Sequence, residues 1–262
     1  MLPLVLIPGI QGRWEYMRPT VDALSAHFDA VTFSLEDSTT LDGYVSQVAD
    51  VLAARRIERA VICGVSFGGV VALRFAAVHP ERVLALVLAS TPAPGWHLKR
   101  RHDFYARLPR IFGPLFLVES PWRMRDEITA ALPNRQRRRQ FKRSVLKTAW
   151  AAPISFKAMA GRARLMQSID LRPDCARITS PTLVITGDAV LDHVVPAHGS
   201  SEYARLITGA RAAVLERTGH LGSVTRPEAF AALIAGFVRD SIGSVGSQTF
   251  AQPDVQHHPG AA

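Results

Sequence analysis

A serine becomes a nucleophile only beside a base, and the base works only when a third group fixes its tautomer. Ser66 stands in Gly64-Val65-Ser66-Phe67-Gly68, followed at once by Gly69. A short apolar run, residues 60–63, leads into that pentapeptide, and a helix-period pattern over residues 70–79 leaves it. Strand, sharp turn and helix in that order predict a strained central residue whose side chain stands clear of a sheet. Its neighbours must be small, because strand and helix nearly touch there. Gly-x-Ser-x-Gly alone is a weak signal, and a glycine-rich turn with a solvated serine is the competing reading. The flanking strand and helix, and the partners below, favour the nucleophile.

Of the nine histidines, His220 is the one placed by pattern. It lies in Glu216-Arg217-Thr218-Gly219-His220-Leu221-Gly222, after the last strand-like run, at the end of a sheet where catalytic loops collect. His257 and His258 fall in a polar tail, His79 precedes Pro80 at a helix end, and His27, His97 and His102 have no strand end beneath them. The acid should lie between Ser66 and His220 in chain order. Two candidates follow the run that ends at Gly187: Asp188, which abuts it and can equally cap the loop, and Asp192. Ala89-Ser90-Thr91-Pro92, after the preceding strand, contains no carboxylate.

These residues need a scaffold, and the hydropathy pattern supplies one. Residues 4–7 read as a buried strand, 19–28 as a helix, 31–33 as a strand and 41–55 as a helix capped by Thr40 or Asp42. Residues 60–63 and 83–88 are two more strands, with the helix 70–79 between them. The rhythm then stops: residues 91–170 show helical patterns broken by Pro109, Pro114, Pro121, Pro133 and Pro153. It resumes with strands at 181–187 and 211–215 and helices at 198–207 and 227–239. Strands alternating with helices predict an α/β fold, a mostly parallel, doubly wound sheet covered on both faces. The expected division is a core over residues 1–91 and 171–242, a helical lid over 92–170, and a loose tail of Gly, Ser, Gln, Pro and His over 243–262.

Composition is that of an ordinary globular chain, and 262 residues suffice for a large core. The N-terminus has no basic region or cleavage signal, and Gly9 ends its apolar run too early for a signal peptide or a span, so a cytoplasmic protein is expected. Cys63 and Cys175 match neither a metal pattern nor a disulfide framework, and Cys63 reads as core packing. The net charge of +9 is uneven: residues 96–172 hold 18 Lys+Arg against 5 Asp+Glu, while the rest of the chain is net −4. Nothing in this pattern calls for nucleic acid.

With Gly64-Val65-Ser66-Phe67-Gly68, the run Asp192-His193-Val194-Val195-Pro196 and His220 in place, the chain resembles the α/β-hydrolase fold family over roughly residues 3 to 240. That resemblance implies Asp192 rather than Asp188 as the acid. It also implies an oxyanion hole from the backbone N–H groups of Phe67 and Ile10. Pro8 stands where the family usually has His, but proline is not the expected donor, so the hole survives. The reaction implied is acyl transfer from a small-molecule substrate to water, with no metal or other cofactor. Ser66 argues against the chemistry this family runs with Asp at that position. Gln11, Arg13, Trp14 and Tyr16 follow the oxyanion loop, and Gln11 and Trp14 are candidate substrate contacts; simple packing of Trp14 and Tyr16 is the alternative. The Phe67 ring is expected as a pocket wall. Carboxylic ester hydrolysis leads; carbon–carbon hydrolysis, acyl transfer and a receptor that kept the fold remain open.

The helical insertion is the most basic part of the chain. Asn134 can cap a helix running toward Trp150 and stopped by Pro153. On a helical wheel Phe141, Val145, Thr148, Ala149 and Ala152 share a face, expected on the core or the pocket, and Arg135, Arg138, Arg139, Lys142, Arg143 and Lys147 share another. Lys99, Arg100 and Arg101 can add to the basic side. Such a surface suits an anionic or carrier-linked ester or a membrane surface, and the carrier-linked methyl ester esterases of this fold are similar in layout. A plain arginine-rich solvated face, in a chain with 27 Arg and 4 Lys, is the other reading.

Overall fold

The computed structural model describes residues 1–97, 108, 109, 111, 119 and 122–248, with side chains as far as residue 242. Six strands form one sheet: β1 Pro3–Ile7, β2 Asp29–Thr32, β3 Ala60–Val65, β4 Val83–Ala89, β5 Thr182–Gly187 and β6 Arg211–Leu215. Their order is β2-β1-β3-β4-β5-β6, and every neighbouring pair is parallel. Parallel strands buried on both faces need continuous apolar runs, and β3 and β4 are such runs. Edge strand β6 instead exposes Arg211, a charge that discourages pairing with another chain.

Successive side chains point to opposite faces, so each strand feeds two cores. Val5, Ile7, Ile62, Leu86, Leu88 and Val184 face one cluster. It is closed by α2 Leu41–Ala54, α3 Phe67–Val78 and α8 Ala197–Leu206, through Val48, Phe75 and Tyr203. Leu4, Leu6, Val61, Cys63, Val87 and Ile185 face the other. There α1 Arg18–Leu24 and α10 Pro227–Gln248 contribute Leu24, Phe230, Ile234 and Phe237. Truncating one of these fully buried rings, Phe230 for instance, would cost about 3–5 kcal/mol. Thr40 is the residue that caps α2, its hydroxyl accepting from the Gly43 N–H. Cys63 and Cys175 are buried free thiols; burial pushes both up, Cys175 to about 12.

The strand order reverses direction between β1 and β3. Loops leaving those two strands therefore part and leave a crevice at their carboxyl ends, the place where such sheets bind ligands. Residues 8–13 leave β1 at that point, and Ser66 leaves β3.

Between β4 and β5 the described residues include α4 Arg125–Ala131, α5 Arg135–Ala151, α6 Phe156–Gln167 and α7 Arg172–Cys175. Asn134 caps α5, accepting from the Gln136 and Arg137 N–H groups. The expected apolar face of α5 is corrected: none of its residues is buried, and only Phe141 and Thr148 of the named set are half-covered within it. Val145 and Ala149 are exposed, so no described element covers that side of the helix there, and Ala152, just beyond the helix, is the one that is buried. Lys99, Arg100, Arg101 and His102 lie outside the described residues. The last helix runs past Gly243 to Gln248, and the remainder of the anticipated tail, 249–262, is outside the described residues. No helix among the described residues is long and apolar enough to cross a membrane.

Candidate active site

Ser66 joins β3 to α3 at φ 57° and ψ −120°. A non-glycine residue there carries about 1–3 kcal/mol of strain, which only over-determined surroundings can hold. Here the Ser66 N–H donates to the Ala89 carbonyl at 2.8 Å and the Ser66 carbonyl accepts from Gly69 N–H at 2.8 Å. Glycine is required beside it: a Cβ on Gly64 would strike the Gly68 carbonyl, and one on Gly68 would strike the carbonyls of Ile7 and Pro8. The elbow is thus wedged between its own helix and the β1 loop.

His220, in the loop after β6, places Nε2 3.2 Å from Ser66 Oγ. Asp192 lies behind it, its Oδ2 3.6 Å from His220 Nδ1. The other oxygen of Asp192 accepts from Val194 N–H at 2.9 Å and Val195 N–H at 2.8 Å, so the Val-Val-Pro run aims the carboxylate. Asp188 turns elsewhere: its Oδ2 accepts from the Arg217 N–H at 2.7 Å and its N–H donates to the Thr218 carbonyl. It ties the β5 and β6 ends together without facing the imidazole. Ser66, His220 and Asp192 come together from three separate strand ends, and Asp188 stays outside the cluster.

The β1 loop is braced from within and from outside. Gly12 N–H donates to the Gly9 carbonyl at 2.9 Å, and Leu35 N–H to the Gly12 carbonyl at 2.7 Å. From α6, the buried Arg162 donates to the Ile10 carbonyl at 3.0 Å, the Leu35 carbonyl at 3.1 Å, the Tyr44 hydroxyl at 3.2 Å and the Asp37 carboxylate at 3.2 Å. A Cβ on Gly12 would run into this guanidinium, so the loop is shaped around it. Ile10 is half-buried, and the Gln11 side chain curls back over Gly9. Trp14 is half-buried with the Arg18 guanidinium 5.0 Å above its ring.

Phe67 follows the serine, but its ring does not line a pocket. It is fully buried in the core cluster and meets Tyr44 edge-on, centroids 5.1 Å apart, which corrects the expectation of a pocket wall.

One carboxylate at the site escaped the sequence reading. Glu127, on α4, is 1% exposed, and its Oε1 accepts a hydrogen bond from the Leu221 N–H. Burial pushes its carboxyl above the usual range, against the opposing pull of the Leu221 and Gly219 N–H groups and His220, while Asp192 adds to the rise. Arg162 was missed as well. Both carried a signal in the sequence: Glu127 shares a helix face with Ala131, and Arg162 with Ala158 and Met166, so each is a charge standing in an apolar stripe.

Among curated proteins the chain is 26% identical over 255 residues to the putative carbamate hydrolase RutD of Yersinia enterocolitica, covering 90% of this chain and 86% of the other. It is 27% identical over 239 residues to 3-oxoadipate enol-lactonase 1 of Acinetobacter baylyi, covering 87% and 84%. The solved structure of a hydrolase from Pseudomonas aeruginosa superposes with a TM-score of 0.69 at 25% identity, covering 90% of this chain and 89% of that one. Residues 4–233 match the model of the alpha/beta hydrolase family, and the chain belongs to that family.

Proposed function

We propose that the chain hydrolyses a carboxylic ester of a small or medium acyl substrate through an acyl-enzyme on Ser66. One observation carries this: a strained elbow that holds Ser66 Oγ 3.2 Å from His220 Nε2. His220 takes the serine proton as Oγ attacks the acyl carbon, and Asp192 balances the imidazolium. The imidazolium proton then goes to the leaving alkoxide, and His220 next deprotonates the water that releases the acid. The 3.6 Å between Asp192 and His220 is long for a hydrogen bond, as is common before substrate binds. The developing oxyanion takes the N–H groups of Phe67 and Ile10, each worth about 10² to 10³ in rate. Arg162, through the Ile10 carbonyl, sets the loop that presents one of them. Gln11 and Trp14, on that same loop, flank the acyl group.

The relatives support attack at an acyl carbon, since their names denote a carbamate hydrolase and an enol-lactonase. A panel of esters of rising acyl length, run on the native protein and on Ser66→Ala, tests the reading. Turnover that is lost in Ser66→Ala is the expected result. Wild-type turnover in that variant would overturn it, and cleavage of a carbon–carbon substrate in preference to every ester would move the same triad to another reaction.

A second feature narrows the substrate class toward an anionic or carrier-linked ester. Helix α5 carries Arg135, Arg137, Arg138, Arg139, Lys142, Arg143 and Lys147, has no carboxylate and buries nothing. Arg135, Arg139, Lys142 and Arg143 share a wheel sector with Leu146 and Trp150, both strongly exposed. Arg138 does not belong to this outward set, because its guanidinium bonds the carbonyls of Leu132 and Pro133. A strip that is basic at one end and apolar at the other suits an acyl chain borne on an acidic carrier. The C-terminal, apolar end lies against the 3-10 turn Trp14–Met17 that follows the proposed oxyanion loop, where the Tyr16 hydroxyl donates to the Ala152 carbonyl at 3.2 Å.

A further inference from the structure

Three carboxylates meet the loop that carries the base, Asp188 at the Arg217 N–H, Asp192 at the imidazole and Glu127 at the Leu221 N–H, and only Asp192 belongs to the triad just proposed. Glu127 reaches the loop from the other side, out of the helical insertion, 94 residues away in sequence. Its Oε1 accepts from Leu221 N–H, and a Cβ built on Gly219 would come within 2.9 Å of its Oε2. The carboxylate therefore grips the backbone on both sides of His220. Gly219 leaves room for this carboxylate on one side and for the Leu191 carbonyl, which is closer still, on the other. A buried carboxylate is costly to keep, and a loop needing only backbone satisfaction could use a neutral Gln or a water. The charged groups that face Glu127 are His220 and Asp192. Helix α9 Gly222–Thr225, which packs against α4, brings no titratable side chain.

We propose that Glu127 is a positioning residue for the reaction: by gripping the Gly219–Leu221 backbone it fixes the imidazole against Ser66 and makes the seating of α4 a condition for an aligned base. This rests on the reading of Ser66 and His220 as nucleophile and base. The negative charge has a second effect, since it adds to Asp192 in favouring the imidazolium formed during acylation. Arg123, just before α4, ties the same helix to the far side of the site by donating to the His193 carbonyl at 3.4 Å, next to Asp192. The insertion is thus fastened to both loops that carry proposed triad members.

Three variants separate positioning from plain stability: Glu127→Gln, which keeps an acceptor for Leu221 N–H but removes the charge, Glu127→Asp, which keeps the charge on a shorter stem, and Glu127→Ala. Native protein is first labelled with a serine-directed fluorophosphonate; absence of that labelling would sink the Ser66 reading itself and is distinct from any outcome below. Folding is checked by circular dichroism, and kcat and KM are measured across pH on one ester. Glu127→Ala should lower kcat about tenfold or more with little change in KM, as expected when a reacting group is displaced. Glu127→Gln should recover most of kcat at high pH, with the acidic limb of its kcat/KM profile displaced to lower pH. Glu127→Asp should keep the native limb but a reduced kcat. A folded Glu127→Ala with native kcat overturns the proposal. If that variant does not fold, an unshifted limb in Glu127→Gln overturns it.

Discussion

Helix α3 buries ten of its twelve residues, whereas α5, at 17 residues, buries none. Helix α3 starts at the elbow and runs along the sheet, whereas α5 meets the 3-10 turn Trp14–Met17 that follows the β1 loop, and they are held in different ways. The serine side is fixed by packing: glycines admit backbone against backbone, and apolar strands on both faces leave Ser66 no other conformation. Beyond the few side chains that it packs into the core, such as Met166, the insertion is tied among the described residues by polar tethers: Glu127 to Leu221, Arg123 to His193, Arg162 to Ile10, and Tyr16 to Ala152. Close packing is stiff and resists small displacement, whereas a few hydrogen bonds can be broken one at a time. The difference separates the chemistry from its access: substitutions on the packed side should act on kcat, and those on the outer surface of the insertion on which substrates arrive.

The largest effect expected on the packed side is at the proposed acid. Asp192→Asn should lower kcat by about 10⁴-fold by favouring the wrong imidazole tautomer, as in other serine triads. Asp188→Asn keeps an oxygen for the Arg217 N–H and should leave kcat close to native. Steady-state kinetics on one ester compares them, and reversed results would make Asp188 the acid.

Arg162 tests the tethered side at its most buried point. Arg162→Met leaves the Ile10 and Leu35 carbonyls without their donors, which should cost roughly 2–4 kcal/mol in denaturant unfolding. It should also reduce kcat more than it raises KM, because Ile10 is the proposed oxyanion donor. Lost stability with native kcat would make the arginine a purely structural brace.

Arg139→Glu with Arg143→Glu, on the outer face of α5, should leave a neutral ester untouched. For an anionic or carrier-linked ester it should remove a salt-sensitive gain in kcat/KM of about 10 to 10³. Equal salt dependence for both esters in the native protein would return α5 to a plain solvated face.

The smallest effect is on stability. The Glu127 carboxyl is raised above its ordinary 4.5 by burial. Folded protein therefore holds that proton more tightly than unfolded chain does. Its contribution is fully present below the ordinary value and is lost as pH rises through the raised one. Glu127→Gln should show no such loss, so the gap between the two melting temperatures should shift in favour of the variant as pH rises from about 4 to 7. Parallel curves over that range would place the carboxyl in a less buried setting.

How much of this was legible in the sequence follows the same division. Strand positions, the elbow at Ser66 and the loop of His220 are written locally, in continuous apolar runs and glycines at fixed offsets, and the structure has strands at those places and His220 beside Ser66. The preference for Asp192 over Asp188 rests on the run Asp192-His193-Val194-Val195-Pro196, in which the Val194 and Val195 N–H groups hold one carboxylate oxygen. Glu127 and Arg162 show locally only as charges standing in apolar helix stripes; what they bind does not show, because their partners lie 94 and 152 residues away. The apolar face of α5 was overread for the opposite reason: a helical wheel records which residues share a side, not whether anything covers that side. The Phe67 ring was misplaced because the residue after an elbow serine can point either way, and here Tyr44 takes it into the core.

The most direct test of the central claim is mass-spectrometric mapping of the adduct formed with a serine-directed fluorophosphonate near neutral pH. The account predicts one adduct per chain, on the peptide that contains Ser66, and none in Ser66→Ala. Native protein that stays unlabelled while hydrolysing esters, or an adduct on another residue that persists in Ser66→Ala, would contradict it.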